Sequence, residues 1–235
     1  MRLFLVRHGQ TSWTAQRRYQ GMSDVPLNAQ GIREAKAVAR ILRRESPQRI
    51  FSSALSRARE TAHWIARASM LRPVEDERLN EISFGKWEGK PWRDGRFHRA
   101  PGGESIESLA KRVNRFFKDL IKKYLDETII LVSHAGPIRM FLIQALMGAR
   151  THKSLLSIWS FRVDPASISL IEGSPDLFQI AWANRTDHLF PLSLQGGRRP
   201  TPVGRAAVGR LDIRHRAVGS TKQSLEITSP LRGSQ

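Results

Sequence analysis

The residues best suited to chemistry are two histidines and two arginines at the ends of apolar runs. Arg7-His8-Gly9 follows Leu3-Phe4-Leu5-Val6, so an imidazole and a guanidinium stand side by side where a short buried strand gives out. A neutral imidazole attacks phosphorus or an acyl carbon, and a neighbouring guanidinium grips phosphate oxygens while charge builds on them. Arg57 lies just beyond a second strand candidate, Arg49 to Ser52, in a segment that opens a helix. His134 follows a third, Thr128 to Ser133. Pro137 suits the first turn of the apolar helix after it, so His134 sits near a helix N-terminus, where N–H groups and the dipole favour an anion. Taken singly, each residue has a plainer reading: a surface Arg-His pair, a solvated helix charge, a loop histidine. Together they bring two guanidiniums and two imidazoles to one edge of a sheet, where open α/β folds collect ligands.

The remaining pattern supplies the elements that must position them. Asn28 can cap a helix with Ile32, Ala35, Val38, Ala39 and Leu42 on one face, and Ser105 another with Ile106, Leu109, Val113, Phe116, Leu120 and Tyr124. After a helix from Pro137 to Met147, the segments 157–163, 166–171 and 177–183 read as strands separated by Asp164-Pro165 and Gly173-Ser174-Pro175. Strands and helices alternate early and strands cluster late. The expected fold class is α/β, a three-layer sandwich with a mostly parallel mixed sheet flanked by helices.

Composition narrows the classes. With 235 residues, 40% of them hydrophobic, the chain suits one medium domain, residues 1–195, plus an extension. From residue 196 it turns rich in Gly, Pro, Ser and Arg without sustained periodicity, which reads as a basic, disordered tail. That tail carries +6 of the net charge of +18, an excess that attracts anions and suits a phosphorylated substrate. Specific nucleic-acid binding is not expected, because no aromatic-basic interleaving or recognition helix is evident. Cysteine is absent, which excludes disulfides and thiol catalysis. His63, His98, His152, His188 and His215 are scattered without ligand spacing, so no metal and no cofactor are expected. The apolar run before Arg7 is too short for a signal-peptide core and no stretch approaches a membrane span, leaving the cytoplasm as the expected compartment.

Arg7-His8-Gly9-Gln10-Thr11, Tyr19-Gln20-Gly21 with Asp24-Val25-Pro26-Leu27, Ser52 to Ala58, Glu81 with Phe84-Gly85-Lys86-Trp87-Glu88-Gly89, Pro101-Gly102-Gly103-Glu104-Ser105 and Val132-Ser133-His134-Ala135-Gly136 occur in an order that resembles the histidine phosphatase superfamily, with its phosphoglycerate mutase-like fold. The resemblance implies that His8 becomes phosphorylated, that Arg7, Arg57 and His134 hold the phosphoryl oxygens, and that Glu81 donates the proton to the leaving oxygen. It also implies substrate contacts from Thr14, Gln20 and Gly21. Related sequences usually carry Asn where this chain has Thr14, so an amide donor is lost and a hydroxyl kept. Residues 93–100 stand where relatives have a longer helical cover, which predicts an open pocket. Glu88, the nearest rival to Glu81, has the setting of a structural turn. The implied activity is that of a metal-independent phosphatase acting on a small phosphorylated metabolite, α-ribazole 5'-phosphate being one candidate. The alternatives are a 2,3-bisphosphoglycerate-dependent phosphoglycerate mutase, a non-catalytic phospholigand-binding protein and a basic nucleic-acid-associated protein.

Overall fold

A computed structural model of the chain describes residues 1–93, 99–147, 155–175 and 177–190. Among these residues six strands form one mixed sheet: β1 (Arg2–Arg7), β2 (Arg49–Ser52), β3 (Pro73–Glu75), β4 (Thr128–Ser133), β5 (Ile168–Ser174) and β6 (Leu177–Arg185), in the spatial order β3-β2-β4-β1-β5-β6. The first four run parallel, and β5 and β6 add antiparallel to the edge beyond β1. Among the described residues five α-helices accompany the sheet: the short α1 (Ser12–Ala15), then α2 (Ala29–Leu42), α3 (Ser56–Ser69), α4 (Ile106–Tyr124) and α5 (Ala135–Met147).

Alternation along β1 and β4 divides the core between two faces. Leu3, Leu5, Ile129 and Leu131 meet Leu109, Val113 and Phe116 of α4 and Ile138 and Phe141 of α5. Phe4, Val6, Ile130 and Val132 meet Val38 and Leu42 of α2 and Ala58, Ala62 and Ile65 of α3. A parallel sheet covered on both faces needs apolar residues at every strand position, which is why these strands read as unbroken apolar runs. Both predicted caps form: Asn28 Oδ1 accepts from Gly31 N at 2.8 Å, and Ser105 Oγ from Ser108 N at 3.1 Å.

One predicted element is wrong. Residues 157–163 are not a strand: Leu155–Ser160 is a 3-10 helix, followed by irregular chain to Asp164. β1 is already paired on both sides, so no place beside it remains for this segment. Its carbonyls serve arginines instead, Phe161 O accepting from Arg139 Nε at 2.8 Å and Val163 O from Arg7 Nη1 at 2.7 Å. The last two predicted strands form with shifted bounds, as β5 and β6. The tail 196–235 and most of the 93–100 segment lie outside the described residues.

Candidate active site

β1, β2 and β4 are parallel neighbours, so His8, Ser53 and His134, each the next residue after its strand, emerge at the same edge of the sheet. There a cavity of about 690 Å³ opens, lined among others by Arg7, His8, Thr14, Gln20, Gly21, Arg57 and Glu81. His134 is fully buried, with its ring centroid 5.0 Å from that of His8. The structure thus brings all eight residues singled out from the sequence to one place.

The hydrogen-bond partners fix what each group can do. His8 Nδ1 lies 2.7 Å from the Gly9 carbonyl oxygen, which can only accept, so Nδ1 carries the hydrogen and Nε2 keeps its lone pair. Burial, and then the positive charges of Arg57 and Arg7, holds the His8 pKa well below its ordinary value; the ring is neutral at neutral pH. Arg57 is wholly buried at the start of α3, its Nη1 donating to Ser23 O at 2.8 Å and Nη2 to Gly21 O at 2.7 Å. Burial pushes the Arg7 guanidinium down to about 10, still protonated at neutral pH. Arg7 Nε, Arg57 Nε and His134 Nδ1 are buried without a partner among the described residues. Buried polar atoms are nearly always satisfied, so such a cluster suits a polyoxyanion.

Glu81 is buried, and its Oε1 accepts from Ile82 N and from Gly136 N, both at 3.0 Å. The anion at the N-terminus of α5 is therefore this carboxylate. Arg112 of α4 ties down the segment before it, donating to Arg78 O, Asn80 O and Glu81 O while its guanidinium grips Glu104. Thr14 lines the cavity, but its hydroxyl is engaged in a capping box with Thr11, donating to Thr11 O at 2.9 Å and accepting from Thr11 N at 2.8 Å. Gln20 is buried, its Oε1 accepting from Thr11 Oγ1 at 2.9 Å.

Glu88 has a larger part than its turn setting indicated. Its carboxylate accepts from Met22 N at 3.0 Å, Ser23 N at 2.9 Å, Ser23 Oγ at 2.6 Å and Phe84 N at 3.1 Å, tying the loop that receives Arg57 to the loop after Glu81. Gly21 has φ of +56°, and a Cβ there would run into the Glu88 carboxylate, so position 21 needs glycine on both counts. Arg139 and the Ser53-Asn80 pair also escaped the sequence reading. Arg139 lines the cavity with its guanidinium 5.5 Å from the Trp159 ring centroid. Ser53 Oγ lies 2.7 Å from His134 Nε2. Their partners are distant in sequence, and no local pattern marks them.

Together, a neutral imidazole with a free lone pair, buried guanidiniums and a carboxyl group on one cavity have the composition of a phosphoryl-transfer site. The chain belongs to the histidine phosphatase superfamily (branch 1), whose model matches residues 3–186. It is a phosphatase of that type, acting on phosphorylated metabolites. Phosphoserine phosphatase 1 of Hydrogenobacter thermophilus is 35% identical over 204 residues, 80% of this chain and 94% of that one. A probable phosphoglycerate mutase of Yersinia pestis is 36% identical over 167 residues, 65% of this chain and 77% of that one. Among solved structures, the α-ribazole phosphatase of Shigella flexneri matches with a TM-score of 0.69 at 30% identity, over 79% of this chain and 96% of that one. The chain spans about half the length, 52%, of mycobacterial relatives to which it is 40% identical. Among the described residues no helix is long and apolar enough to cross a membrane.

Proposed function

We propose that the chain is a metal-independent phosphomonoester hydrolase, cytoplasmic, working through a phosphohistidine on His8. The observation that carries this reading is the His8 ring, neutral and with its hydrogen pinned on Nδ1 by Gly9 O, which leaves the Nε2 lone pair for phosphorus. In the first step Nε2 forms a bond to phosphorus as the ester oxygen leaves. Arg7, Arg57 and His134 compensate charge on the transferring group, and Glu81, which takes up a proton from solvent before the step, gives it to the departing oxygen. Glu81 then takes a proton from water, the water oxygen attacks phosphorus, and the P–N bond breaks to restore His8. Thr14, Gln20 and Gly21 shape the phosphoryl end of the cavity, Gly21 through the carbonyl that holds Arg57.

The substrate is a small phosphorylated metabolite. α-Ribazole 5'-phosphate and phosphoserine are the first to try, since relatives are named for acting on them. The catalytic unit is residues 1–195, with 196–235 a basic extension. Turnover of a panel of monoesters, read as released phosphate, tests the reading: His8→Ala should abolish release from every ester, and near-normal release by that variant would overturn it. A phosphoglycerate mutase is the second reading, favoured by the Yersinia relative. Rapid conversion of 3-phosphoglycerate to 2-phosphoglycerate in the presence of 2,3-bisphosphoglycerate, with little free phosphate from any ester, would establish it instead.

A further inference from the structure

Three loops that carry site residues meet at one hydroxyl. Ser53 Oγ lies 2.7 Å from His134 Nε2 and 2.8 Å from Asn80 Oδ1, and it accepts from Leu55 N at 3.1 Å. Asn80 Oδ1 also accepts from Ala54 N at 3.0 Å, so this atom of the amide is the oxygen. An oxygen that only accepts obliges the Ser53 hydroxyl to donate to it. Ser53 Oγ, its one hydrogen committed to Asn80, must in turn accept from His134 Nε2. The hydrogen of the neutral His134 ring therefore sits on Nε2. Nδ1, buried and without a partner among the described residues, is a bare lone pair.

Resting on the phosphate-site reading above, we propose that Ser53 and Asn80 are positioning residues that hold His134 as its Nε2–H tautomer, so that engaging a phosphoryl oxygen requires His134 Nδ1 to take up a proton. A neutral Nδ1 would set its lone pair against a phosphoryl oxygen, whereas a protonated one donates a charge-assisted hydrogen bond to it. The proton comes from solvent or from the phosphoryl group itself, and no covalent bond changes in the step. The groups facing His134 account for its staying neutral until then. Arg7 and the neutral His8 ring approach from the end of β1, Arg57 from α3 and Arg112 from α4, and burial and the guanidinium charges hold its pKa well below the ordinary value. A bound phosphate dianion opposes those charges and restores the imidazolium. The anion is thus held by a cation formed on its arrival, and the enzyme is spared an additional buried charge when the site is unliganded.

Nitrogen-15 spectra of the full chain with labelled histidines test both parts. In the free protein, His134 should show a hydrogen on Nε2 and none on Nδ1. On titration with inorganic phosphate at about pH 8.5, where phosphate is a dianion, both nitrogens should become protonated with uptake of about one proton per site. Ser53→Ala should lose the tautomer preference and raise the phosphate dissociation constant about tenfold, because the buried Nε2–H loses its acceptor. A hydrogen on Nδ1 in the free protein would overturn the relay, as would phosphate-linked protonation that falls on His8 or Glu81 while His134 stays neutral. If phosphate perturbed neither His8 nor His134, the phosphate-site reading itself would fall, and the free-protein tautomer would still decide whether Ser53 fixes the ring.

Discussion

Gly136→Ala separates the proposed acid catalysis from stability, because the two should move very differently. Gly136 is the second residue of α5 and donates its N–H to Glu81 Oε1 at 3.0 Å. A Cβ built there runs into that same oxygen, while its other neighbour, Leu109 Cδ2 at 3.4 Å, is an ordinary contact. The Glu81 side chain must therefore swing away. Losing a hydrogen bond to a charged group costs about 1.5–3 kcal/mol, and the better helix propensity of alanine returns about 1 kcal/mol, leaving a net loss of about 0.5–2 kcal/mol. Turnover should suffer more. A positioned general acid contributes about 10²- to 10⁴-fold, which is about 2.7–5.4 kcal/mol of barrier. The assay compares an alkyl phosphate with p-nitrophenyl phosphate, whose leaving group needs no proton. The alkyl ester should show the full loss and the aryl ester a much smaller one, with melting only slightly lowered. Equal losses on the two esters, or none on either, would refute the assignment of Glu81 as proton donor.

Folding stability should decline below about pH 6.5, the unfolded-state value for histidine, because His8 and His134 are held well below it in the folded chain and the unfolded chain then binds more protons. Each contributes a slope of about 1.4 kcal/mol per pH unit, so denaturant titrations from pH 6.5 downward should show the dependence weakened by one such step in His8→Ala. Gly21→Ala should raise KM and lower the melting temperature together, since the backbone turn and the Glu88 contact are both lost; unchanged KM would separate this loop from Arg57. Truncation after Gln195 should leave turnover and melting nearly unchanged, and a large drop in either would show that residues 196–235 belong to the folded unit.

The site was legible where chemistry sits at the end of an unbroken apolar run. Leu3 to Val6 and Ile129 to Val132 announce strands because both of their faces are buried, and His8 and His134 follow each directly. The 157–163 segment misled because Ile158, Trp159 and Phe161 give it a strand-like composition. What decides its conformation is long-range, namely that Arg7 and Arg139 claim its carbonyls. Glu88 was hidden for the same reason, its donors lying across a gap of more than sixty residues in Met22 and Ser23. Thr14 had a local signal: three residues after Thr11, it has the N3 spacing of a capping box, which is how its hydroxyl is used.

Phosphorus should become bonded to His8 during turnover. Rapid quenching of the full chain with a phosphorus-labelled monoester, followed by peptide mapping under alkaline conditions, tests it directly. The peptide containing His8 should carry an acid-labile, base-stable phosphoryl group, formed and lost at rates that support turnover and absent in His8→Ala. Turnover without any such adduct, or a label on a different residue that forms and decays as fast as the reaction, would contradict it.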